Sequence, residues 1–208
     1  MDKVPKKIKI INYIKKFIKI NNLDGYIIPK NDIYFTEYSE NNNLRKISNF
    51  TGSAGFALIL KKKNYLFVDG RYTLQAKIQS GRNFTIRQVP NFLPKDLDYS
   101  IENRIGFDPK LFTEDTLSKY FANKIKLVPI SYKFNNKKKV KNIKYFSLND
   151  KITGENYISK INKVSKILKK NNTNFLYVSA SENVCWLLNI RGKDLPNSPV
   201  ANCKLLVS

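Results

Sequence analysis

Along residues 6–20 apolar side chains recur every three or four positions, at Ile8, Ile11, Ile14 and Ile18, with lysines between them. That period predicts an amphipathic helix, stopped by Asn21-Asn22. "GYIIP" at 25–29 is short, apolar and closed by proline, as a buried strand would be, and Asp32 then offers a cap for a helix over 33–40. "FTGSAGFALILKKKNYLFVDG" has the form of a hairpin: glycines at the entry, a strand Phe56–Leu60, a Lys-Lys-Lys-Asn turn and a strand Tyr65–Val68. Further on, the pattern predicts a helix over 72–79, strands over 84–89 and 104–107, a helix over 113–122 capped by Thr113, and a strand over 125–130. Strands and helices that alternate in this way define a layered α/β domain with a mixed sheet, because each sheet face needs a helical stripe to cover it.

The pattern lapses over 133–149, a basic, asparagine-rich run that reads as a linker between a domain at 1–132 and another at 150–208. After it the chain begins again. "IKKFIKINNLDGYIIPKND" (14–32) and "VSKILKKNNTNFLYVSASEN" (164–183) share a helix, an Asn-Asn stop, an apolar strand and a helix start, offset by about a domain's length. The second domain is therefore expected to be a copy of the same α/β unit, and an incomplete one. In it "NCKLLVS" (202–208) matches the first hairpin strand, so the sequence reads as the front of something longer.

Composition narrows the chemistry. A chain of 208 residues that is 42% hydrophobic and 12% aromatic can bury a core. The lysine-broken first residues lack the apolar run of a signal peptide or membrane span, which points to a cytoplasmic protein with no membrane partner. Cys185 and Cys203 are too far apart for a CxxC site and are expected as buried, reduced thiols. There is no histidine at all, which excludes Ser-His and Cys-His machinery. The 16 acidic residues are scattered, without the close pair that a divalent cation needs. A net charge of +22 invites a nucleic-acid partner. The lysines, however, are dispersed among isoleucine and asparagine, arginine is sparse, and no helix-turn-helix, zinc-finger, RNP or GXXG signature occurs, so the charge reads as solvated surface.

Between the hairpin and the following helix stands Asp69-Gly70-Arg71-Tyr72. Taken with "LDGYIIPKND", "RKISNFTGSAG", "FVDGRYTLQA", "IGFDPKLFT", "LVPI" and "SENVCWLLNIRGKDLPNSPV", in that order from about residue 10 to the end, it resembles the N-terminal half of the three-domain Xaa-Pro aminopeptidases.

The resemblance implies a creatinase-type N-terminal α/β domain followed by a second copy, in an enzyme family that releases the N-terminal residue from peptides with proline at the second position. Two divalent metals, typically manganese, are held there by aspartates, glutamates and a histidine of a C-terminal catalytic domain that nothing in these residues matches. It further implies that the first two domains shape the substrate entrance and contribute to a dimer, and that Arg71 contacts the bound peptide. A guanidinium suits that task, being always charged and offering a planar fork to oxygen acceptors. Against this stands an equal alternative, in which Asp69 and Arg71 merely hold the turn, with Asp69 as helix cap.

The other conspicuous residues have plainer readings. Ser53 lacks a GxSxG context and a histidine, so the neighbouring glycines are expected to allow close backbone approach. Trp186, Leu187 and Leu188 are expected to pack a helix on its sheet, and Arg191 either faces a cleft or pairs with Asp194. Two classes of function follow: a catalytically silent portion of a metalloaminopeptidase, truncated or paired with a separate metal-binding chain, or a stand-alone basic module that captures peptides or scaffolds.

Overall fold

The computed structural model describes residues 6–36, 42–98, 103–121, 125–134, 144–195 and 197–208. The chain divides into two compact units, one of residues 1–33 with 41–136 and one of 34–40 with 137–208.

In the first unit the elements run α1 (Lys6–Ile20), β1 (Gly25–Pro29), α2 (Asn43–Ser48), β2 (Gly55–Leu60), β3 (Asn64–Asp69), α3 (Thr73–Ser80), β4 (Thr85–Val89), β5 (Arg104–Phe107), α4 (Glu114–Tyr120) and β6 (Lys126–Pro129). The strands form one mixed sheet in the order β4-β3-β2-β1-β5-β6. The β1–β2 and β2–β3 pairs are antiparallel, whereas β3–β4, β1–β5 and β5–β6 are parallel.

The strand alternation sorts side chains to two faces. Ile28, Ala57, Ile59, Leu66 and Val68 pack under Ile11, Ile14 and Ile18 of α1, Leu44 and Ile47 of α2 and Ala76 of α3. Their sequence neighbours Ile27, Phe56, Leu58, Tyr65 and Phe67 pack with Leu117 of α4 and with Phe121. Phe56 stacks between Phe67 and Tyr120, with ring centroids 4.7 and 4.3 Å away. The expected hairpin, the strands at 84–89 and 104–107, and the helix after Thr113 are all present, and Thr113 Oγ1 accepts the Thr116 amide.

One element departs from expectation. Residues 33–36 are not helical, and Phe35 has φ 59°, a left-handed conformation that interrupts a helix; 37–40 lie outside the described residues. The next helix is α2, which sequence reading missed; Asn42 Oδ1 caps it by accepting the Arg45 amide at 2.9 Å.

The second unit contains β7 (Phe146–Ser147), α5 (Asp150–Thr153), α6 (Tyr157–Lys170), β8 (Leu176–Val178), α7 (Ser181–Leu187), β9 (Ile190–Arg191) and β10 (Leu205–Val207). β8 pairs antiparallel with β10, and β7 with β9, so the stretch read as a linker carries a strand near its end. The terminal strand is thus partnered, though in a sheet of only two strands among the described residues.

The repeat is visible in atomic detail at the two Asn-Asn stops. Asn21 Nδ2 donates to the Phe17 carbonyl and Asn171 Nδ2 to the Ile167 carbonyl, both at 2.8 Å. Asn22 and Asn172 have φ 51° and 50°. The amides of Leu23 and Thr173 then reach back to Ile18 and Leu168 at 2.9 and 3.0 Å. Each helix ends in a left-handed asparagine that satisfies its last carbonyls, and each is followed by a strand, a short helix and an antiparallel partner strand.

Candidate functional site

β3 ends at Asp69, whose extended backbone (φ −61°, ψ 152°) turns directly into a 3-10 turn over Gly70–Tyr72 and then α3. Its carboxylate does two things. Oδ1 accepts the Arg71 amide at 2.9 Å, capping the turn, and also accepts Arg71 Nε at 2.9 Å, while Arg71 Nη2 lies 3.4 Å from Oδ2. The Arg71 guanidinium, followed by its amide, holds the Asp69 carboxyl below its ordinary pKa. The Arg71 side chain is 75% exposed and that of Asp69 39%, so the pair is a surface one whose value lies in direction more than in stability.

A second network fixes the corner from the glycine-rich loop. Tyr72 packs edge-on to Phe50, centroids 5.8 Å apart, lies beneath the Arg71 guanidinium at 5.5 Å, and shares a 2.9 Å hydrogen bond between its hydroxyl and Ser53 Oγ. Gln75 and Gln79, one turn apart on α3, both donate Nε2 to Thr51 Oγ1 at 2.9 Å, and the Thr51 amide returns a bond to Gln79 Oε1. Gly55 permits the close entry into β2: its φ is +152°, and a Cβ there would stand 2.8 Å from the Phe67 carbonyl oxygen.

The structure therefore brings together Arg71, its expected cap Asp69, and Ser53, and adds Tyr72, Thr51, Gln75 and Gln79. Tyr72 belongs to the motif read in the sequence, whereas Thr51, Gln75 and Gln79 were missed, although Gln75 and Gln79 stand at helical spacing after the arginine. On the same helix Leu74 and Ile78 leave 70% and 72% of their surface to solvent. An exposed guanidinium can donate to oxygen acceptors, and Leu74 and Ile78 are apolar surface on the helix that follows it in the chain.

In the second unit the expected readings change. Trp186 is 60% exposed and does not pack a helix on its sheet; instead Lys160 Nζ lies 4.2 Å over its ring and donates to the Trp186 carbonyl and to Asn189 Oδ1. Arg191 does not pair with Asp194: its guanidinium donates to the carbonyls of Cys185 and Ile190, and Asp194 accepts the Asn202 amide. Cys185 is buried but Cys203 only half-buried; both thiols are reduced and contact the Ala201 carbonyl. Burial, with Cys185 alongside, pushes the Cys203 thiol up to about 11.

Among the described residues no three Asp, Glu or Cys side chains gather as a metal ion would require, and the two metals that the resemblance implies are expected in a C-terminal catalytic domain. Nor, among them, is any helix long and apolar enough to cross a membrane.

The first unit is an α/β domain with a six-stranded mixed sheet, and Arg71 stands exposed at the corner between its β3 and α3. Two family models, both described as creatinase/prolidase N-terminal domain, match residues 11–136 and 136–208, and the chain belongs to that family. Similar curated proteins include a probable Xaa-Pro aminopeptidase P of Coprinopsis cinerea, 33% identical over 90% of this chain and 33% of that protein. Aminopeptidase P2 of Arabidopsis thaliana is 31% identical over 89% of this chain and 29% of its own length, and human Xaa-Pro aminopeptidase 2 is 29% identical over 89% and 30%. The chain thus spans about a third of the length of the curated relatives it matches. A crystal structure of X-prolyl aminopeptidase from Caenorhabditis elegans, described as a cytosolic enzyme with a di-nuclear active site, shares the fold at a TM-score of 0.86 over 99% of this chain and 38% of that one, with 22% identity.

Proposed function

We propose that this chain is the non-catalytic N-terminal portion of an enzyme that releases the N-terminal residue from peptides with proline in second place, and that Arg71 is its contact with the bound peptide. The observation that carries this reading is the Asp69–Arg71 arrangement. A mostly exposed guanidinium is held in one direction by a carboxylate, on a sheet buried on both faces, within a chain that belongs to this family. Fixing the fork beforehand spares the ordering cost that a loose arginine would incur on binding.

In this reading residues 1–132 are the presenting domain, 133–149 a linker and 150–208 a second unit of the same kind. Both units help to form the substrate entrance and a homodimer in the cytoplasm. The two divalent metals, manganese by expectation, are supplied by a catalytic region outside these residues, in the same or a separate polypeptide, and this chain by itself is inactive. Peptide capture without catalysis is the competing reading.

The test mixes the chain with the catalytic region of the C. elegans enzyme and follows hydrolysis of an Xaa-Pro tripeptide. Arg71→Ala should raise KM at least tenfold, Arg71→Lys should recover only part of that loss, and both variants should melt as the parent does. Unchanged peptide kinetics in Arg71→Ala would reject the substrate role.

A further inference from the structure

β4 is the outer strand on one side of the six-stranded sheet of the first unit. It pairs in parallel with β3, and among the described residues no strand meets its other edge. An open edge offers unpaired amides and carbonyls to an extended chain that can lie beside it. Thr85 and Gln88 of this strand are exposed, so solvent reaches it.

Arg87, opposite Phe67 in the register, is the charged residue of β4. Its guanidinium carbon lies 4.8 Å from the Phe92 ring centroid and 5.9 Å from that of Tyr65. Nε is enclosed yet has no hydrogen-bond acceptor, and among the described residues no carboxylate pairs with the group. The two other partly buried arginines find acceptors: Arg104 Nε donates to the Asn22 carbonyl at 2.9 Å, and Arg191 Nη1 to the Ile190 carbonyl at 2.8 Å. A guanidinium cannot shed its charge, and an enclosed donor without an acceptor is costly. The aromatic faces attract the cation without using its N–H groups. Arg87 as a whole is only partly buried, which leaves its terminal Nη groups to a ligand.

We propose that the open edge of β4, anchored by Arg87, docks an extended acidic segment of a partner polypeptide, one carboxylate of which accepts from the Arg87 Nη groups. Main-chain hydrogen bonds along the edge supply affinity. A residue opposite Arg87 on the added strand has its Cβ about 4.5–5.5 Å away on the same face, where opposite charges attract and like charges repel. Charge selects the occupant. Arg82, just before β4, is exposed, and so are Lys61, Lys62 and Lys63 in the turn that leads to Asn64, whose side chain donates to the Asn83 carbonyl at 3.0 Å. A second copy of the chain is disfavoured by a net charge of +22, which sets two copies against each other. The proposal stands independently of the role given to Arg71.

The probe is a short end-blocked peptide of alternating threonine and glutamate, which as a strand sets its carboxylates on one face. Titrated into the full chain, it should shift the Arg87 Nε–H signal and the amides of residues 85–89 saturably in NMR spectra. The counterpart with glutamine for glutamate should bind more weakly by about tenfold or more, as should the parent peptide to Arg87→Met, which keeps an apolar stem over the rings. Lys126→Met, on β6 at the opposite edge of the sheet, should bind as the parent chain does. Absence of a shift at Arg87, equal binding of the glutamine peptide, or equal binding by Arg87→Met would each overturn the proposal. Glutarate binding as tightly as the peptide would also overturn it, because a small anion would then suffice without a strand.

Discussion

Arg71 Nε stands 2.9 Å from Asp69 Oδ1, and the same oxygen accepts the Arg71 backbone amide, so one carboxylate both starts a helical turn and aims the arginine that follows it. The reading in which Asp69 and Arg71 hold the turn is seen in both parts of the residue: the backbone N–H is capped, and the guanidinium pairs with the same carboxylate while staying exposed.

The pair predicts a pH signature. Hydrogen bonds from Arg71 lower the Asp69 pKa, so the bonds are fully present above the unfolded carboxylate's value of about 3.9 and are lost as pH falls through the lower folded value. The carboxyl carbon of Asp69, followed by NMR, should titrate below that value, and Arg71→Ala should move the inflection upward. An inflection that Arg71→Ala leaves unmoved would mean that the guanidinium does not act on this carboxylate.

Tyr26 anchors the segment after β6. Its buried hydroxyl donates to the Ile130 carbonyl at 2.9 Å and accepts the Tyr132 amide at 3.0 Å, and burial raises its pKa. Tyr26→Phe removes a partner from both main-chain groups, which should cost about 1–3 kcal/mol. Urea unfolding checks this, and a loss well under that range would show that water replaces the hydroxyl.

Gly55 sits at a conformation that other residues avoid, with the Phe67 carbonyl where a side chain would go. Gly55→Ala should destabilise by about 1–3 kcal/mol. A melt showing no change would mean that the hairpin entry relaxes freely.

The repeat predicts unequal costs at equal places. Ile14→Ala, in a fully buried site, should cost about 2–5 kcal/mol. Val164→Ala, at the matching and only partly buried place on α6, should cost less than about 1 kcal/mol, because less packing is removed. Equal losses in urea unfolding would contradict this difference in burial.

Much of this was legible in the residues. The hairpin and the Thr113 helix follow from local periodicity and capping, and the duplication follows from two Asn-Asn stops whose backbone geometry turns out the same. The helix α2 was hidden because its apolar content is Leu44 and Ile47 within an asparagine-rich run, while Asp32 offered a plausible cap that Phe35 leaves without a helix. The clasp around Arg71 was hidden for another reason: Ser53 with Tyr72 and Thr51 with Gln79 meet only once the sheet has formed, 19 and 28 residues apart. Trp186 departs from expectation because an aromatic beside leucines implies packing, yet its ring stays 60% exposed with the Lys160 ammonium 4.2 Å over it.

The most direct test of the functional account is hydrolysis of an Xaa-Pro tripeptide by the purified chain, with and without manganese, beside the same chain mixed with the catalytic region of the C. elegans enzyme. The account predicts silence from the chain in both conditions and turnover in the mixture that exceeds that of the catalytic region alone and depends on Arg71. Turnover by the chain alone would contradict it.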